Sequence, residues 1–268
     1  MAYYMENMTV RDMETAITKT KTVIIPIGVV EQHGYHLPLS TDIHNAMEVL
    51  KRAGERLNAV IAPCVNYCYS GGELLGTVNV NPNVFGLYMG EICEEFFKMG
   101  FKDILLYMGH GGTENYKALK NSLQMLLKRD HQRAEEVTIS LIGCYQMSPS
   151  WMEGFAMEPE HDFHAGMVET SLMLYWHPEL VHDEIVMDEE YISKMMRTDC
   201  DWFEISEKVI DSQYIVPHAK QREEIKVGVM GFPEKASAKL GEKVCGEMVE
   251  NLINYVEMIN NKRETFTE

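Results

Sequence analysis

Apolar, β-branched runs alternate along this chain with segments of helical periodicity. Turn residues bound four such runs, at residues 22–28, 59–65, 103–109 and 137–144. Continuous apolar runs of this kind are typical of strands that are buried on both faces of a sheet. Helical patterns occur between and after the runs, at residues 42–57, 84–99, 115–129 and 235–261. The alternation predicts an α/β fold of three layers, with helices on both sides of a mostly parallel central sheet.

The length of the chain and its cysteines favour one ordinary globular domain. Its 268 residues can enclose a sizeable core, and no Pro/Ser-rich or charge-block linker interrupts them. We therefore predict a single domain that spans 1–268. The 6 cysteines include no C-x-x-C pair, so they indicate neither a disulfide framework nor a sulfur-rich zinc knuckle.

Composition argues against nucleic acids and membranes as partners. Lys and Arg total 24 against 41 Asp and Glu, and the formal net charge of -17 would repel a phosphate backbone or an anionic membrane surface. The N-terminal segment has no basic cluster followed by an apolar stretch, and no apolar window approaches the roughly 18 residues of a membrane span. We expect a soluble, cytoplasmic protein.

Polar residues follow the predicted strands at the end where open parallel sheets bind ligands. Glu31 and His33 follow the first strand, and Asp42 lies at the start of the next helix. His110 directly follows the third strand, between glycines that let backbone approach an ion or a substrate. Imidazole nitrogen and carboxylate oxygen are the donors that borderline divalent ions use in hydrolytic sites. One interpretation is a metal site; the other is that Asp42 caps its helix and the histidines are surface polar groups.

A later polar cluster, at residues 161–171, leads into an apolar segment. Small residues follow His164, and Glu169 stands near the start of that segment. This pattern suits a metal ligand or a proton-transfer residue. Glu169 is equally well placed to cap a core helix. The alternative for His164 is that it only orients a ligand through a hydrogen bond.

These blocks, in their order along the chain, resemble the motifs of the creatininase (creatinine amidohydrolase) family. The most specific block is Pro-Ile-Gly-Val-Val-Glu-Gln-His-Gly at 26–34, with His-Leu-Pro-Leu at 36–39 and Thr-Asp at 41–42. Three further blocks follow: Gly-His-Gly-Gly at 109–112, His-Ala-Gly with Glu-Thr-Ser at 164–171, and Gly-Phe-Pro at 231–233. The resemblance implies a binuclear metal hydrolase on a layered α/β/α fold, assembled as a homo-hexamer and acting on a small molecule.

The resemblance also implies which residues hold the two divalent ions, which would be zinc, manganese or iron. Glu31 and His110 would bind one ion, His33 would bind the other, and Asp42 would bridge both. The ions would activate a water molecule as the attacking hydroxide and polarise the carbonyl under attack.

The second ion needs one more carboxylate, and the sequence offers two. We favour Glu169, in the Glu-Thr-Ser motif. Glu114 competes with it, because residues 113–115 resemble a Glu-Asn pair of the creatinine-hydrolysing members. His164 matches the histidine that the family uses for proton transfer, which here would protonate the leaving nitrogen.

The chain departs from the family pattern in the segment before Gly76. Members commonly carry a His and a Phe-Pro step where this chain reads Ser-Gly-Gly-Glu-Leu-Leu at 70–75. We expect Glu73 to border the substrate pocket, and a carboxylate there argues against creatinine itself. Trp151 would either stack on a flat substrate ring or belong to ordinary packing.

The sequence therefore favours a metal-dependent amidohydrolase that cleaves the C–N bond of a cyclic or non-peptide amide. One alternative is hydrolysis of a C–C bond in an oxidised inositol, as in a 3-dehydro-scyllo-inosose hydrolase. Another is a catalytically silent binding subunit that keeps the fold.

Overall fold

The computed structural model describes residues 3–205 and 210–267, in which a five-stranded sheet forms the centre. Its strands are β1 (Tyr3–Tyr4), β2 (Thr22–Ile27), β3 (Val60–Ile61), β4 (Asp103–Met108) and β5 (Thr138–Gly143). Their order across the sheet is β1-β3-β2-β4-β5, and every neighbouring pair is parallel. A separate antiparallel ribbon pairs β6 (Phe203–Ile205) with β7 (Ala219–Gln221).

Helices cover both faces of the central sheet. The α-helices are α1 (Val10–Lys19), α2 (Thr41–Ala53), α3 (Pro82–Lys98), α4 (Thr113–Arg129), α5 (His131–Ala134), α6 (Pro149–Phe155), α7 (Met167–Trp176), α8 (Glu190–Thr198) and α9 (Ala238–Thr267). Short 3₁₀ turns lie at Met5–Asn7, Gly54–Arg56, Cys144–Met147, Pro178–Leu180 and Pro233–Lys235. Within the described residues, no helix is both long and apolar enough to cross a membrane.

Two hydrophobic cores lie on opposite faces of the sheet, because successive residues of a strand point in opposite directions. In β2, Ile24 packs into one core, while Val23 and Ile25 pack into the other. Side chains of α2, α7 and α9 complete the first core, and those of α1, α3 and α4 complete the second. The predicted three-layer α/β/α fold with a parallel central sheet is confirmed.

The second predicted strand, at 59–65, is shorter than its apolar pattern. Only Val60–Ile61 is in regular pairing, and Val65 adds an isolated bridge to β2. Pro63 interrupts the ladder between them because proline has no N–H to donate.

Helix ends differ from the predicted ends for local reasons. The helix predicted at 42–57 ends at Ala53, four residues before Leu57, because Gly54 has a positive φ and begins a 3₁₀ turn. Helix α1 was missed although its sequence carries a start signal. Thr9 and Asp12 form a capping box at its N-terminus.

Candidate metal centre

The carboxyl ends of β2 and β4 meet the first turn of α2, and two glycines allow this close contact. A Cβ on Gly109 would lie 1.9 Å from the carbonyl oxygen of Asp42, and one on Gly28 would lie 2.7 Å from Cα of Ile43. Side chains do not approach backbone so closely, so glycine is required at both positions. Asp42, on α2, and His110, just after β4, are therefore held beside each other.

Glu31, Asp42 and His110 form one group of buried ligand atoms. His110 Nδ1 lies 3.1 Å from Glu31 Oε2 and 3.3 Å from Asp42 Oδ2. The other oxygen of Glu31, Oε1, accepts a hydrogen bond of 2.7 Å from Ser70 Oγ. Ser70 thereby fixes which oxygen of Glu31 faces the group.

His33, Asp42 and Glu169 form a second group, which shares Asp42 with the first. His33 Nε2 lies 3.6 Å from Asp42 Oδ1 and 3.7 Å from Glu169 Oε2. Asn45 Nδ2 donates a hydrogen bond of 3.1 Å to Glu169 Oε1 and so orients that carboxylate. Because Asp42 turns a different oxygen toward each group, it has the arrangement of a bridging carboxylate.

The donor set of these two groups fits divalent metal ions. Three carboxylates and two imidazoles are buried together. Four of their atoms are buried and make no hydrogen bond: Glu31 Oε2, His33 Nε2, Asp42 Oδ2 and His110 Nε2. Buried polar groups without partners are costly, and divalent ions are the partners that imidazole and carboxylate donors satisfy together.

The charges in the two groups shift each other's pKa. Burial lowers the pKa of His33, but the carboxylates of Asp42 and Glu169 outweigh burial and raise this pKa well above its ordinary value. Burial also lowers the pKa of His110, and the carboxylates of Glu31 and Asp42 likewise raise it well above the ordinary value. Both imidazoles therefore hold a proton more firmly than a free imidazole does, and a metal ion that bound to them would have to displace this proton.

His164 lies beside the second group, with its ring centroid 4.3 Å from that of His33. Its Nε2 is 2.9 Å from the carbonyl oxygen of Gln32 and 3.2 Å from the side-chain amide nitrogen of the same residue. The carbonyl oxygen is the nearer partner and can only accept a hydrogen bond, so we assign the proton to Nε2 and leave Nδ1 as the acceptor. Nδ1 lies 3.8 Å from Glu31 Oε1. Burial, and then the proximity of His33, lowers the pKa of His164. The ring is therefore neutral near neutral pH and able to take up a proton.

The residue after His164 has a strained backbone that its neighbours hold in place. Ala165 has a φ of 51°, a left-handed conformation that is uncommon for a residue with a side chain. Its N–H donates a 2.7 Å hydrogen bond to Glu169 Oε2, and its carbonyl oxygen lies 3.2 Å from His36 Nε2. Strain of this kind persists at functional sites, where the surrounding structure over-determines it.

Asp162, which the sequence analysis did not single out, fixes the N-terminus of α7. Its carboxylate accepts hydrogen bonds from the N–H groups of Met167, Val168 and Phe232, at 2.7, 3.0 and 2.9 Å. Since α7 carries Glu169, these bonds also set the position of that carboxylate. Asp162 lies too far before α7 for the usual N-cap spacing, which is why a local motif did not reveal it.

A cavity of about 380 Å³ opens onto both ligand groups. Much of its wall is aromatic: Tyr69, Tyr145, Trp151, Phe155, Phe163, Trp202 and Phe203. Its acidic residues beyond the ligand groups are Glu114, Asp199 and Asp201. Among the described residues that line the cavity, none is a lysine or an arginine. This wall suits a flat or partly apolar molecule better than an anion.

The remaining predicted residues lie in different places around this cavity. Trp151 is 3% exposed, so it belongs to the core and also lines the wall. Glu114 is exposed on the first turn of α4 and belongs to neither ligand group. Glu73 is exposed and is not part of the wall, which corrects the expectation that it borders the pocket. The neighbouring Gly72 packs on the indole of Trp202.

Comparisons with known proteins identify the family of this chain. The profile of the creatininase family, described as creatinine amidohydrolase, matches residues 6–256. The creatinine amidohydrolase of Pseudomonas putida is 24% identical over 204 residues, which cover 69% of this chain and 76% of that protein. The mycofactocin precursor peptide peptidase of Mycolicibacterium smegmatis is 29% identical over 238 residues, covering 85% of this chain and 81% of that protein.

A third relative and two solved structures are also similar to this chain. The 3-dehydro-scyllo-inosose hydrolase of Thermotoga maritima is 24% identical over 190 residues, covering 70% of this chain and 60% of that protein. A solved creatininase with manganese has a TM-score of 0.76 and 18% identity, and covers 97% of this chain and 99% of that chain. Another solved creatininase is a Zn–Zn form. The family predicted from the motifs is confirmed: this chain belongs to the creatininase family of metal-dependent amidohydrolases.

Proposed function

We propose that this protein uses two divalent metal ions, zinc, manganese or iron, to hydrolyse the C–N bond of a cyclic or other non-peptide amide. Glu31 and His110 would hold one ion, His33 and Glu169 the other, and Asp42 would bridge them. The observation that carries the proposal is that the two ligand groups share Asp42 at the base of one cavity.

The positions of the two side chains support Glu169 rather than Glu114 as the carboxylate that completes the binding of the second ion. Glu169 Oε2 lies 3.7 Å from His33 Nε2, and Glu169 is oriented by two hydrogen bonds, from Asn45 and Ala165. Glu114 is exposed and hydrogen-bonds the neighbouring Thr113 hydroxyl. A ligand needs a fixed orientation near its partners, and only the first of the two has it.

The chain's own residues divide the chemistry between binding and proton transfer. When bound, the ions would polarise the amide carbonyl and lower the pKa of a water. Glu31, Asp42 and Glu169 would balance their charge. His164 Nδ1, which faces the ligand groups, would accept the proton of the attacking water and return it to the leaving nitrogen. The Gln32 carbonyl oxygen, which accepts a hydrogen bond from the N–H group at Nε2, would hold the ring in the required tautomer.

The aromatic wall supports an amide with a flat or apolar part. A polyol would use the hydrogen-bonding groups that the wall also carries, such as Glu114, Asp199 and Asp201, but it would leave the flat surface of seven aromatic side chains unused. Hydrolysis of a C–C bond in an oxidised inositol is therefore the second candidate, supported by the relative of that name. The peptidase relative adds short peptides as substrates to be tested.

Substrate profiling of the metal-reconstituted protein tests the proposal. The panel contains creatinine, formylated amines, short peptides and oxidised inositols, and mass spectrometry follows the products. We expect turnover of a cyclic or non-peptide amide that stops on chelation and returns with metal. Turnover of oxidised inositols alone would favour the second candidate. Binding of amides with no turnover would favour a silent binding subunit.

A matched pair of variants tests the ligand set independently of the substrate. Glu169→Gln is expected to bind one ion fewer per chain, whereas Glu114→Gln is expected to bind as many as the wild type. Metal analysis after dialysis measures both. The reverse result would assign the second ion to Glu114.

The assembly expected from the family resemblance is also a proposal. We propose a homo-hexamer, which light scattering of the metal-bound protein would measure directly. A monomer or dimer under those conditions would contradict it.

A further inference from the structure

A second set of metal-ligand side chains lies outside the cavity, where α2 passes the end of α7. His44 and Glu48 are four residues apart on α2, so they project from the same face of the helix. His177 directly follows the last residue of α7. One ligand atom from each of the three lies within 4.8 Å of the others, and the two imidazole centroids are 4.6 Å apart.

His177 is already oriented as a ligand would be. Its Nδ1 lies 3.2 Å from Glu179 Oε1, and its Nε2 lies 3.3 Å from Glu48 Oε1. Nε2 is buried and makes no hydrogen bond. Histidines that bind metal through one nitrogen usually donate the other N–H to a carboxylate, as His177 would to Glu179.

We infer that His44, Glu48 and His177 form a separate binding site for a borderline divalent cation, with Zn²⁺ as its best ligand. Two imidazoles and one carboxylate are a donor set that Zn²⁺ accepts, with solvent completing the shell. Mg²⁺ and Ca²⁺ prefer all-oxygen shells, so the site discriminates against them.

Two basic side chains already contact Glu48, and a metal ion bound there would have to share this carboxylate with them. Lys51 Nζ lies 2.6 Å from Glu48 Oε1, and Arg52 lies 2.5 Å from Oε2. The Lys51 side chain is 54% exposed and that of Glu48 is 6% exposed, so Zn²⁺ would replace the ammonium group at a buried carboxylate and release the lysine side chain to solvent. Arg52 would remain paired with Glu48 Oε2, which leaves Oε1 as the oxygen that binds the ion. These ion pairs outweigh burial and lower the pKa of Glu48 to about 2, so the carboxylate is ionised at neutral pH.

The position of this site gives it a structural role. Helix α2 carries Asp42 and helix α7 carries Glu169, which belong to the central ligand groups. An ion bound by His44, Glu48 and His177 would join these two helices from outside the cavity. Zinc should therefore raise the thermal unfolding temperature, since binding to the folded state alone stabilises it.

Equilibrium dialysis of the metal-loaded protein against increasing free Zn²⁺ tests the site, with zinc per chain measured by mass spectrometry. Wild type is expected to bind one more ion than His177→Ala and His44→Asn. Glu179→Gln is expected to bind the additional ion with an affinity about 10- to 100-fold lower, so that the site still fills at high free Zn²⁺. His182→Ala, which changes a nearby histidine outside the set, is expected to bind as much zinc as wild type, and Mg²⁺ is expected not to add an ion.

Ions bound at the centre around Asp42 can be distinguished from the ion bound by His44, Glu48 and His177. Asp42→Asn should lose central ions and still bind the ion of the second site, so failure of the proposed function and failure of this site are separate outcomes. Circular dichroism of each variant without added zinc shows that it is folded. Equal zinc content of wild type, His177→Ala and His44→Asn at every concentration would overturn the inference, as would an equal loss in His182→Ala.

Discussion

Replacing Gly109 with alanine should displace the two elements that form the metal centre. The added Cβ would lie 1.9 Å from the carbonyl oxygen of Asp42 and 3.0 Å from the backbone nitrogen of Ala46. Both obstacles are backbone atoms of α2, so no side-chain rotation can relieve the clash. The first turn of α2 has to move away from the end of β4.

The size of that movement follows from the contact distance. An ordinary van der Waals contact needs at least 3.4 Å, so the two atoms must separate by roughly 1.5 Å from 1.9 Å. Overpacking of this kind typically costs about 1–3 kcal/mol of folding free energy, and more where backbone has to move. A shift of about 1 Å between catalytic groups can lower activity about 100-fold. We expect Gly109→Ala to lose both stability and bound metal.

Urea unfolding and metal analysis measure the two effects, with Gly246→Ala as the matched control. Gly246 is exposed within α9, and a Cβ there would meet nothing within 4 Å. Alanine is the better helix former by about 1 kcal/mol, so this variant should be more stable than wild type and keep its metal. If Gly109→Ala unfolded at the wild-type urea concentration with full metal content, the proposed contact between Asp42 and the end of β4 would be refuted.

Three further predictions concern the rest of the fold and the centre. Arg263→Ala should lower the free energy of unfolding, measured in urea, by about 3–5 kcal/mol. The guanidinium of Arg263 binds both oxygens of the buried Asp103 carboxylate at 2.6 Å, and the variant leaves that carboxylate without this partner. A loss below about 1 kcal/mol would contradict this. Glu247 accepts hydrogen bonds from Ser148 and Ser150, which outweigh burial and lower its pKa. The ionised Glu247 carboxylate therefore stabilises the folded state above the ordinary carboxylate pKa, and this stabilisation is lost as the pH falls through the lowered pKa of the folded state. Glu247→Gln should lower the free energy of unfolding by about 1 kcal/mol at pH 7 and by much less at strongly acidic pH. Removal of metal by a chelator should lower the unfolding temperature, and added zinc or manganese should restore it; an unchanged temperature would argue that no ion is bound to the folded state.

The pattern of strands and helices predicted that three of the candidate ligands lie near one another, whereas their role as metal ligands came from the family resemblance and stays a prediction. Glu31, Asp42 and His110 follow strands or open a helix, and the carboxyl ends of parallel strands share one edge of the sheet. That these three side chains meet depends on β2 and β4 being neighbours, which the apolar pattern allows without requiring it.

Local sequence favoured Glu169 through its Glu-Thr-Ser motif and left Glu114 as a competitor. Each is an acid in the first turn of a helix, and the two differ only in where that helix packs. Helix α7 points its first turn at His33 and Asp42, with Asp162 fixing it there, whereas the side chain of Glu114 lies on the outer part of the cavity.

The supporting contacts and the pocket wall were missed for a related reason. Ser70 and Asn45 orient ligands that are 39 and 124 residues away in the chain, and no spacing rule connects such pairs. Glu73 was expected in the pocket because its loop borders it, but its side chain is exposed, and the contact of the preceding Gly72 with Trp202, far along the chain, has no local signal.

Anomalous diffraction from crystals of the metal-bound protein would test the binuclear centre most directly. We predict two peaks on either side of Asp42, each about 2.0–2.2 Å from its carboxylate, with Glu31 and His110 around one and His33 and Glu169 around the other. A fully loaded protein with no peak at ligand distance from Asp42 would contradict the proposed centre.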